Sequence, residues 1–249
     1  MSMLGPYASW NKETGYAVWD HPTAEYTGIF ERINVGIKGI IHVGMWDFVE
    51  YGCYTKLVGN KVVGVEANPE VYRTMAKPVA DKWGFKCFNE FTSDKDDEVR
   101  NFYFAGEGSS LYQGQPSWNK QTSIKVQTKT LATVLDENKI DPAEYDFLNI
   151  DAEGSELDIL KGYERYLEHV NVIDLETSYD DRHLSGASHD KIASWLSERG
   201  FELREQSPTY DSQQWGDSVF VRVDRELPLF VDGNAGNAIF GEKYLENSR

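Results

Sequence analysis

Apolar runs alternate with amphipathic segments along most of this chain. The first five runs have the length of buried strands and span residues 39–43, 61–67, 85–89, 145–150 and 170–176. Helical patterns fall near 23–34, 47–57, 69–83, 130–138, from about 155 onward, and near 188–199. Because strands joined through helices run parallel, this order predicts an α/β fold: a mostly parallel sheet with helices on both faces. The last two runs, 201–206 and 217–223, have no helix between them and predict an antiparallel hairpin at the sheet edge.

The alternation divides the chain into a main domain and flanking segments. The chain has 249 residues, which is enough for one large core. We place the main domain at residues 38–223. Residues 1–37 are expected to be an N-terminal extension packed on the core, and 224–249 a polar, Gly-rich C-terminal tail. Residues 94–129 interrupt the alternation of strands and helices, which predicts an inserted hairpin or flap. Within it, the glycines and polar residues of 105–118 predict a mobile flap beside the substrate site.

The charge balance excludes several classes of partner. The chain has 41 Asp and Glu residues against 25 Lys and Arg, a formal net charge of −16. Such a chain repels polyanions, so neither nucleic acid nor an anionic membrane surface is an expected partner. Two cysteines, Cys53 and Cys87, make no disulfide framework and indicate a reducing compartment. With no apolar run near the ~18 residues of a membrane span, we expect a cytoplasmic protein whose oligomeric state stays open.

Polar residues follow the predicted strands where a ligand is expected. In an open parallel sheet, ligands bind outside the carboxyl ends of the strands, near the point where the strand order reverses. The residues at these ends are Gly44, Glu66, Asn89 with Glu90, Asp151 and Glu176. Carboxylates are costly at buried strand ends unless a ligand or hydrogen-bond donors need them. The strand ends therefore predict a polar binding site.

Glu66 and the loop after the first strand narrow the choice of ligand. An acid at the tip of the second strand can accept both hydroxyl hydrogens of a ribose, although it can also complement the dipole of the helix that starts at Pro69. The loop HVGMWDFVEY (42–51) lacks the G-x-G-x-x-G pattern of a pyrophosphate cradle, which disfavours NAD and ATP. A ligand with a ribose but no phosphate fits better, and S-adenosylmethionine is the common one.

Several strings resemble the FkbM-type methyltransferases. They are IIHVG (40–44) with EY (50–51), VVGVEANPEVY (62–72), the SD of FTSD (91–94), FYFAGEGSSL (102–111) and DFLNIDAEGSELDILKG (146–162). The last string is the most specific, and the resemblance runs from about residue 38 to 223. It implies a Rossmann-like class I methyltransferase fold, with a seven-stranded sheet and a reversed last hairpin. It also implies S-adenosyl-L-methionine as cofactor and a hydroxyl group, often on a sugar or natural product, as methyl acceptor.

The resemblance also assigns cofactor positions. The residues expected to contact the cofactor are His42, Gly44, Glu66, Ala67, Asn68, Glu90 and Asp151. His42, on the first strand, has a structural interpretation as well. Family members often have alanine and glycine where this chain has Met45 and Phe48. Either the loop is displaced, with Gly52 supplying flexibility, or cofactor binding is weakened.

Three residues are expected to be catalytic: Asp151, Glu176 and His183, the last in a loop after the fifth strand. Glu153, Ser110 and Tyr112 are expected to bind the acceptor, although Glu153 can equally lock its turn by binding backbone N–H groups. Glu156 falls in the first turn of a helix, where capping explains it. No metal is expected, since Asp180 and Asp181 beside His183 make only a weak D-D-x-H pattern.

These observations predict an S-adenosylmethionine-dependent O-methyltransferase that modifies a hydroxyl of a carbohydrate or glycan. Two alternatives stay open. The acceptor can be a natural product or a lipid-linked molecule, and Phe48 keeps open a cofactor-binding protein of this fold without turnover. A nucleotide-dependent oxidoreductase is a more distant third.

Overall fold

A computed structural model describes residues 8–11, 16–19, 25–48, 50–114, 122–178, 186–208 and 215–231. The strands are β1 Ala8–Asn11, β2 Tyr16–Trp19, β3 Ile40–Val43, β4 Val62–Val65, β5 Lys86–Phe88, β6 Phe91–Ser93, β7 Val99–Phe104, β8 Thr122–Thr130, β9 Phe147–Ile150, β10 Val172–Ser178, β11 Phe201–Pro208 and β12 Trp215–Arg222. The α-helices are α1 Glu25–Ile33, α2 Tyr51–Val58, α3 Pro69–Val71, α4 Lys77–Trp83, α5 Leu131–Glu137, α6 Glu156–Tyr163 and α7 His189–Ser197. A π-helical turn, Tyr72–Ala76, joins α3 to α4, and 3₁₀ turns span Pro142–Glu144 and Glu164–His169.

The central sheet has seven strands in the order β11-β12-β10-β9-β3-β4-β5. Strands β10, β9, β3, β4 and β5 are parallel, whereas β12 is antiparallel to both β10 and β11. The expected fold, with its reversed last hairpin, is therefore confirmed. The chain builds outward from β3 to β5 and then returns to β9, so the strand order reverses between β3 and β9.

Both faces of the sheet are buried, which explains the unbroken apolar character of the strands. Ile41 and Leu148 point to one face, in a core completed by residues of α5, α6 and α7. Ile40 and Phe147 point to the other, against α1, α2 and α4. On that face the ring of Phe30, in α1, packs edge-on against Phe147 with centroids 5.0 Å apart.

The helix after β4 begins where sequence signals place it. Asn68 adopts an extended backbone and its Oδ1 accepts hydrogen bonds from the N–H groups of Glu70 and Val71. Pro69 occupies the first helical position, where its missing N–H costs nothing. Thr130 caps α5 in the same way, its Oγ1 accepting from the N–H of Thr133 at 3.1 Å.

The inserted segment forms a second, smaller sheet. β7 pairs antiparallel with β8, from Val99↔Gln127 to Phe104↔Thr122. β6, which the sequence pattern did not indicate, pairs in parallel with the far end of β8. Buried side chains between these strands form their own small core. Residues 115–121, part of the expected flap, lie outside the described ranges.

The chain after β12 is bound to the body of the protein as far as the structure describes it. The N–H of Gly36 donates to the carbonyl of Pro228 at 2.8 Å, and Leu227 and Phe230 pack against the core beneath α1 and α2. Within the described residues, no helix is long and apolar enough to span a membrane.

Candidate active site

A row of residues crosses four strands at the carboxyl edge of the sheet. Val43, Ile150 and Leu175 are neighbours in register, so the residues that follow them, Gly44, Asp151 and Glu176, come next to one another. Glu176 in turn lies opposite Asp217 on β12. This row coincides with the reversal of strand order between β3 and β9 and is therefore the expected place for a ligand.

Three carboxylates converge at this row. One oxygen each from Asp151, Glu153 and Glu176 lies within 4.8 Å of the others. The structure thus brings together the three acids that the sequence analysis singled out. Such a group of oxygens can accept hydrogen bonds from hydroxyl groups, and carboxylates are also ligands for divalent cations. Three acids alone do not identify a metal site, and Asp180, Asp181 and His183 lie outside the described residues.

Burial and neighbouring negative charges perturb the pKa of Asp151. Burial of its carboxylate among protein atoms raises its pKa well above the usual range, and the negative charges of Glu176, Glu153, Asp217 and Glu156 add to the shift. The residue nevertheless keeps an exposed surface at the rim of the crevice. A carboxylate with a raised pKa and solvent access binds a proton more readily than an ordinary carboxylate, as a general base requires.

The turn that carries Glu153 has unusual backbone angles. Glu153 has φ +55° and Gly154 φ +98°, both in the left-handed region. The Oε1 atom of Glu156 stabilises this turn by accepting from the N–H groups of Ala152 at 3.1 Å and Gly154 at 2.9 Å. Glu156 is buried and has the capping role that its position in the first helical turn predicts.

Gly44 is required by the close approach of two strand ends. Its φ is +85°, and a Cβ atom there would lie 1.7 Å from the carbonyl oxygen of Asp151. No side chain fits between the two segments. The absence of a side chain at position 44 therefore sets how closely the loop after β3 approaches the acidic row.

Glu66 lies at the tip of β4, apart from the three acids, and its carboxylate already serves the backbone. Its Oε2 accepts from the N–H of Trp46 at 2.8 Å and its Oε1 from the N–H of Asn68 at 2.7 Å. Burial raises its pKa. Asn89 holds the neighbouring chain by donating to the carbonyls of Glu66 and Ala67. The backbone role of Glu66 could not be read from the sequence, because Trp46 comes from a different loop.

Glu90, the other acid expected on this side, forms an ion pair of 2.9 Å with Lys129 on β8. Asn68 serves as the helix cap described above. The two residues therefore hold neighbouring chain segments in place at this edge of the sheet, and their contacts with a cofactor stay predictions.

The two residues that depart from the family pattern are both buried. Phe48, with φ +58°, is fully buried and packs edge-on against the rings of His42, Tyr54 and Phe85. Its bulk thus occupies the core beneath the loop. Gly52 lies inside α2, so it does not serve as a hinge of this loop.

Met45 is buried as well and lies over Gly64 on β4. A Cβ atom on Gly64 would be 1.9 Å from the Met45 sulfur, so Met45 fills the space that the glycine leaves. The sulfur is 3.6 Å from the thiol of Cys87 on the next strand. The departures at positions 45 and 48 therefore change the packing of the core below the loop.

His42 belongs to a buried polar row beneath the acids. It is neighbour in register to Asn149, which is neighbour to Asp174. The Tyr54 hydroxyl lies 3.3 Å from Nδ1 of His42 and accepts from Nδ2 of Asn149 at 2.8 Å. Burial lowers the pKa of His42 to about 3, so the imidazole is neutral in the folded protein. This environment accounts for His42 structurally, and its contact with a cofactor stays a prediction.

Sequence reasoning did not single out two acids near the site. Burial raises the pKa of Glu50 to about 7, with smaller contributions from the charges of Asp47 and Asp217. Its Oε2 atom is buried with no hydrogen-bond partner among the described residues. Asp217 was missed because the register of the last hairpin decides its place opposite Glu176.

From the side of the inserted sheet, Ser110 lies against the turn that carries Glu153 and Tyr112 lies against α6. Ser110 Oγ donates to the carbonyl of Glu153 at 2.6 Å, and the Tyr112 hydroxyl donates to Asp158 Oδ2 at 2.6 Å. The structure therefore brings Ser110 to the backbone of the Glu153 turn and Tyr112 to the helix that follows it, and their contacts with an acceptor stay predictions.

Comparison with protein-family models matches residues 35–203 to the methyltransferase FkbM domain. The chain belongs to the FkbM methyltransferase family. It is therefore a methyltransferase by family and fold, and S-adenosylmethionine is its cofactor. The match covers the central sheet from β3 to the start of β11, including the acidic row and the inserted sheet.

Comparison with solved structures gives matches at low identity. Sp1610 of Streptococcus pneumoniae, solved with S-adenosyl-L-methionine, is 12% identical with a TM-score of 0.48, over 82% of this chain and 74% of that one. Magnesium protoporphyrin IX methyltransferase (ChlM) of Synechocystis PCC 6803 is 10% identical with a TM-score of 0.46, over 82% and 77%. Comparison with curated proteins found no match. Likenesses this distant say nothing about the acceptor of this FkbM methyltransferase.

Proposed function

We propose that this FkbM methyltransferase transfers a methyl group to a hydroxyl of a carbohydrate or glycan. The convergence of Asp151, Glu153 and Glu176 within 4.8 Å carries the proposal. Methyl transfer to a hydroxyl needs a group that receives the hydroxyl proton and acceptors that orient the remaining hydroxyls. Three converging carboxylates meet both needs, and a sugar offers several hydroxyl donors to them.

The residues at the neighbouring strand ends fit S-adenosylmethionine. Each carboxylate oxygen can accept about two hydrogen bonds, so Glu66 retains capacity for ribose hydroxyls beside its bonds to Trp46 and Asn68. Gly44 leaves the loop after β3 without a side chain over the acidic row. When bound, the cofactor supplies an electrophilic methyl group on a cationic sulfur. Negative charge at Asp151 favours that cation.

In this proposal each acid has a separate role. Asp151 receives the proton of the attacking hydroxyl, because its raised pKa places proton uptake closer to neutral pH. Glu176, adjacent in register, accepts a hydrogen bond from the acceptor, and Glu153 binds a second hydroxyl. The negative row disfavours anionic acceptors such as nucleic acid, in keeping with the net charge of −16. His183 stays a further candidate for the base.

We also propose that the protein works in the cytoplasm. Cys53 and Cys87 are buried and form no disulfide, as expected of thiols in a reducing compartment.

Transfer of a labelled methyl group into a panel of sugars and glycan fragments tests the proposal. Asp151→Asn keeps the shape and removes the base, so turnover should fall by about 10²–10⁴, with S-adenosylhomocysteine affinity changed far less. Asp141→Asn is a suitable control, since Asp141 is an exposed capping residue ahead of β9 and Asn caps equally well.

The alternatives have distinct outcomes in the same assay. If only natural products or lipid-linked molecules are methylated, the acceptor belongs to one of those classes and is not a sugar. Binding of S-adenosylhomocysteine by calorimetry without transfer to any acceptor indicates a protein without turnover. Normal turnover by Asp151→Asn with the true acceptor moves the base elsewhere, to Glu50 or His183.

A further inference from the structure

The inserted sheet is attached directly to the turn that presents Glu153. Ser110 is buried, with 2% of its surface exposed, and its backbone pairs with that of Tyr103 on β7 through two hydrogen bonds. Its side chain leaves the insertion: Oγ donates to the carbonyl of Glu153 at 2.6 Å and accepts from the N–H of Tyr112 at 3.0 Å. One hydroxyl thus joins the insertion, the Glu153 turn and the chain that continues to Tyr112.

A second attachment lies one helical turn further along. The Tyr112 hydroxyl donates to Oδ2 of Asp158, in α6, at 2.6 Å. Arg100, on β7, donates to the same oxygen at 3.0 Å, and its guanidinium lies over the Tyr112 ring at 4.8 Å. The Arg100 and Asp158 side chains are only 18% and 17% exposed. Partly buried charged hydrogen bonds are stronger than surface ion pairs, so this contact holds the insertion on α6.

The turn between these attachments needs support. A non-glycine residue in the left-handed region costs about 1–3 kcal/mol and persists only when its surroundings determine it. Glu153 has φ +55°, and its carboxylate is one of the three converging acids. Glu156 supports the N–H groups on either side of Glu153, and Ser110 supports its carbonyl. Loss of the Ser110 bond removes a contact that comes from outside the turn.

We propose that Ser110 and Tyr112 are positioning residues that hold the Glu153 turn, and with it the acidic row, in the geometry used by the acceptor. A serine or tyrosine hydroxyl has one hydrogen to donate, and here both are donated to protein atoms, the Glu153 carbonyl and Asp158. The sequence predicts that these two residues bind the acceptor directly. In this proposal they act on it indirectly, through the Glu153 turn. The inference rests on the proposed function, because that function makes Glu153 an acceptor ligand.

Two pairs of matched variants test this role. Ser110→Ala and Tyr112→Phe remove the two attachments. Ser109→Ala is the control for the first, since among the described residues Ser109 Oγ bonds only within the insertion, to Ala105 and Gly106. Tyr103→Phe is the control for the second, since the one contact of the Tyr103 hydroxyl within the described ranges is 3.4 Å long, with exposed Asn101.

The first readout is hydrogen exchange of residues 151–156, which needs no acceptor. Exchange in this turn should be at least several-fold faster in Ser110→Ala and Tyr112→Phe and unchanged in both controls. The second readout is methyl transfer: kcat should fall by roughly 10–10²-fold, since a misplacement of about 1 Å can cost 10²-fold. S-adenosylhomocysteine affinity should stay within about twofold, because the two hydroxyls bond to Glu153 and Asp158 and, in the described part of the chain, share no partner with Glu66.

Two results overturn the inference. One is hydrogen exchange of residues 151–156 at the wild-type rate in both Ser110→Ala and Tyr112→Phe. The other is a rise in acceptor KM at constant kcat and constant exchange, which assigns these hydroxyls to direct acceptor binding. If the wild type methylates no sugar at all, the proposed function fails, and the exchange comparison still decides whether the insertion holds the turn.

Discussion

Replacing Gly44 by alanine tests how tightly the loop after β3 and the acidic row are packed. The new Cβ atom would lie 1.7 Å from the carbonyl oxygen of Asp151 and 2.6 Å from its carbonyl carbon, whereas ordinary contact begins at 3.4 Å. Both partners are backbone atoms, so no side chain can rotate away. The two strand ends have to separate, and they do so at the residue that carries the proposed base.

The expected loss of stability combines two effects. Alanine at φ +85° costs about 1–3 kcal/mol of backbone strain. Overpacking of a close contact costs typically about 1–3 kcal/mol more. The sum, about 2–6 kcal/mol, is a large part of the 5–15 kcal/mol by which domains are usually stable, with about 2–4 °C lost from Tm per kcal/mol at this size. Gly44→Ala should therefore melt roughly 4–24 °C below the wild type.

Thermal unfolding followed by circular dichroism measures this difference, and Gly52→Ala is the matched control. Gly52 lies within α2 and a Cβ atom there meets nothing within 4 Å. Alanine in a helix interior is more stable than glycine by about 0.5–1 kcal/mol, so Tm should stay the same or rise slightly. A Gly44→Ala variant that melts within about 1 °C of the wild type would refute the close packing of Gly44 against Asp151.

Three further outcomes follow from the charges of the site. Because the folded-state pKa of Asp151 is raised, its ionisation destabilises the fold as pH rises above the unfolded pKa of about 3.9. The free energy of unfolding in urea should thus be about 0.5–2 kcal/mol higher for Asp151→Asn than for the wild type at pH 8, and equal at pH 3. An equal gain at both pH values would contradict this reasoning. Glu66→Ala should weaken S-adenosylhomocysteine binding by about 1.5–3 kcal/mol in calorimetry, and unchanged affinity in the folded variant would reject the ribose contact. Burial lowers the pKa of folded His42 from 6.5 to about 3. As pH falls below 6.5, the unfolded chain therefore takes up the proton before the folded protein does, and the fold loses stability. Relative to His42→Gln, the free energy of unfolding of the wild type should fall by about 1.4 kcal/mol for each pH unit below 6.5. Parallel profiles of unfolding free energy against pH for the two proteins would exclude this role of His42.

The sequence pattern predicts the central sheet well because burial on both faces leaves a local signature. The expected run 145–150 contains β9, Phe147–Ile150, and the expected run 170–176 overlaps β10, Val172–Ser178. The short strand β6 left no such signature, since its three residues depend on pairing with β8 from a distant part of the chain.

The candidate site was only partly predictable, for a related reason. Acids at strand ends are visible as sequence positions, which is why Asp151, Glu153 and Glu176 could be named together. Their partners come from other elements: Trp46 donates to Glu66, and Ser110 donates to Glu153 across 43 residues. A hydrogen bond between distant segments leaves no periodic trace in the sequence, so tertiary structure is needed to find it.

The packing of Met45 over Gly64 implies that these two positions share one volume. The side chain that β4 lacks at position 64 is supplied by the loop after β3 at position 45. An alanine at position 45 would leave room for a larger residue at position 64, whereas Met45 leaves none. The two positions are therefore expected to covary across the family, so that a change at either one is tolerated only with a compensating change at the other.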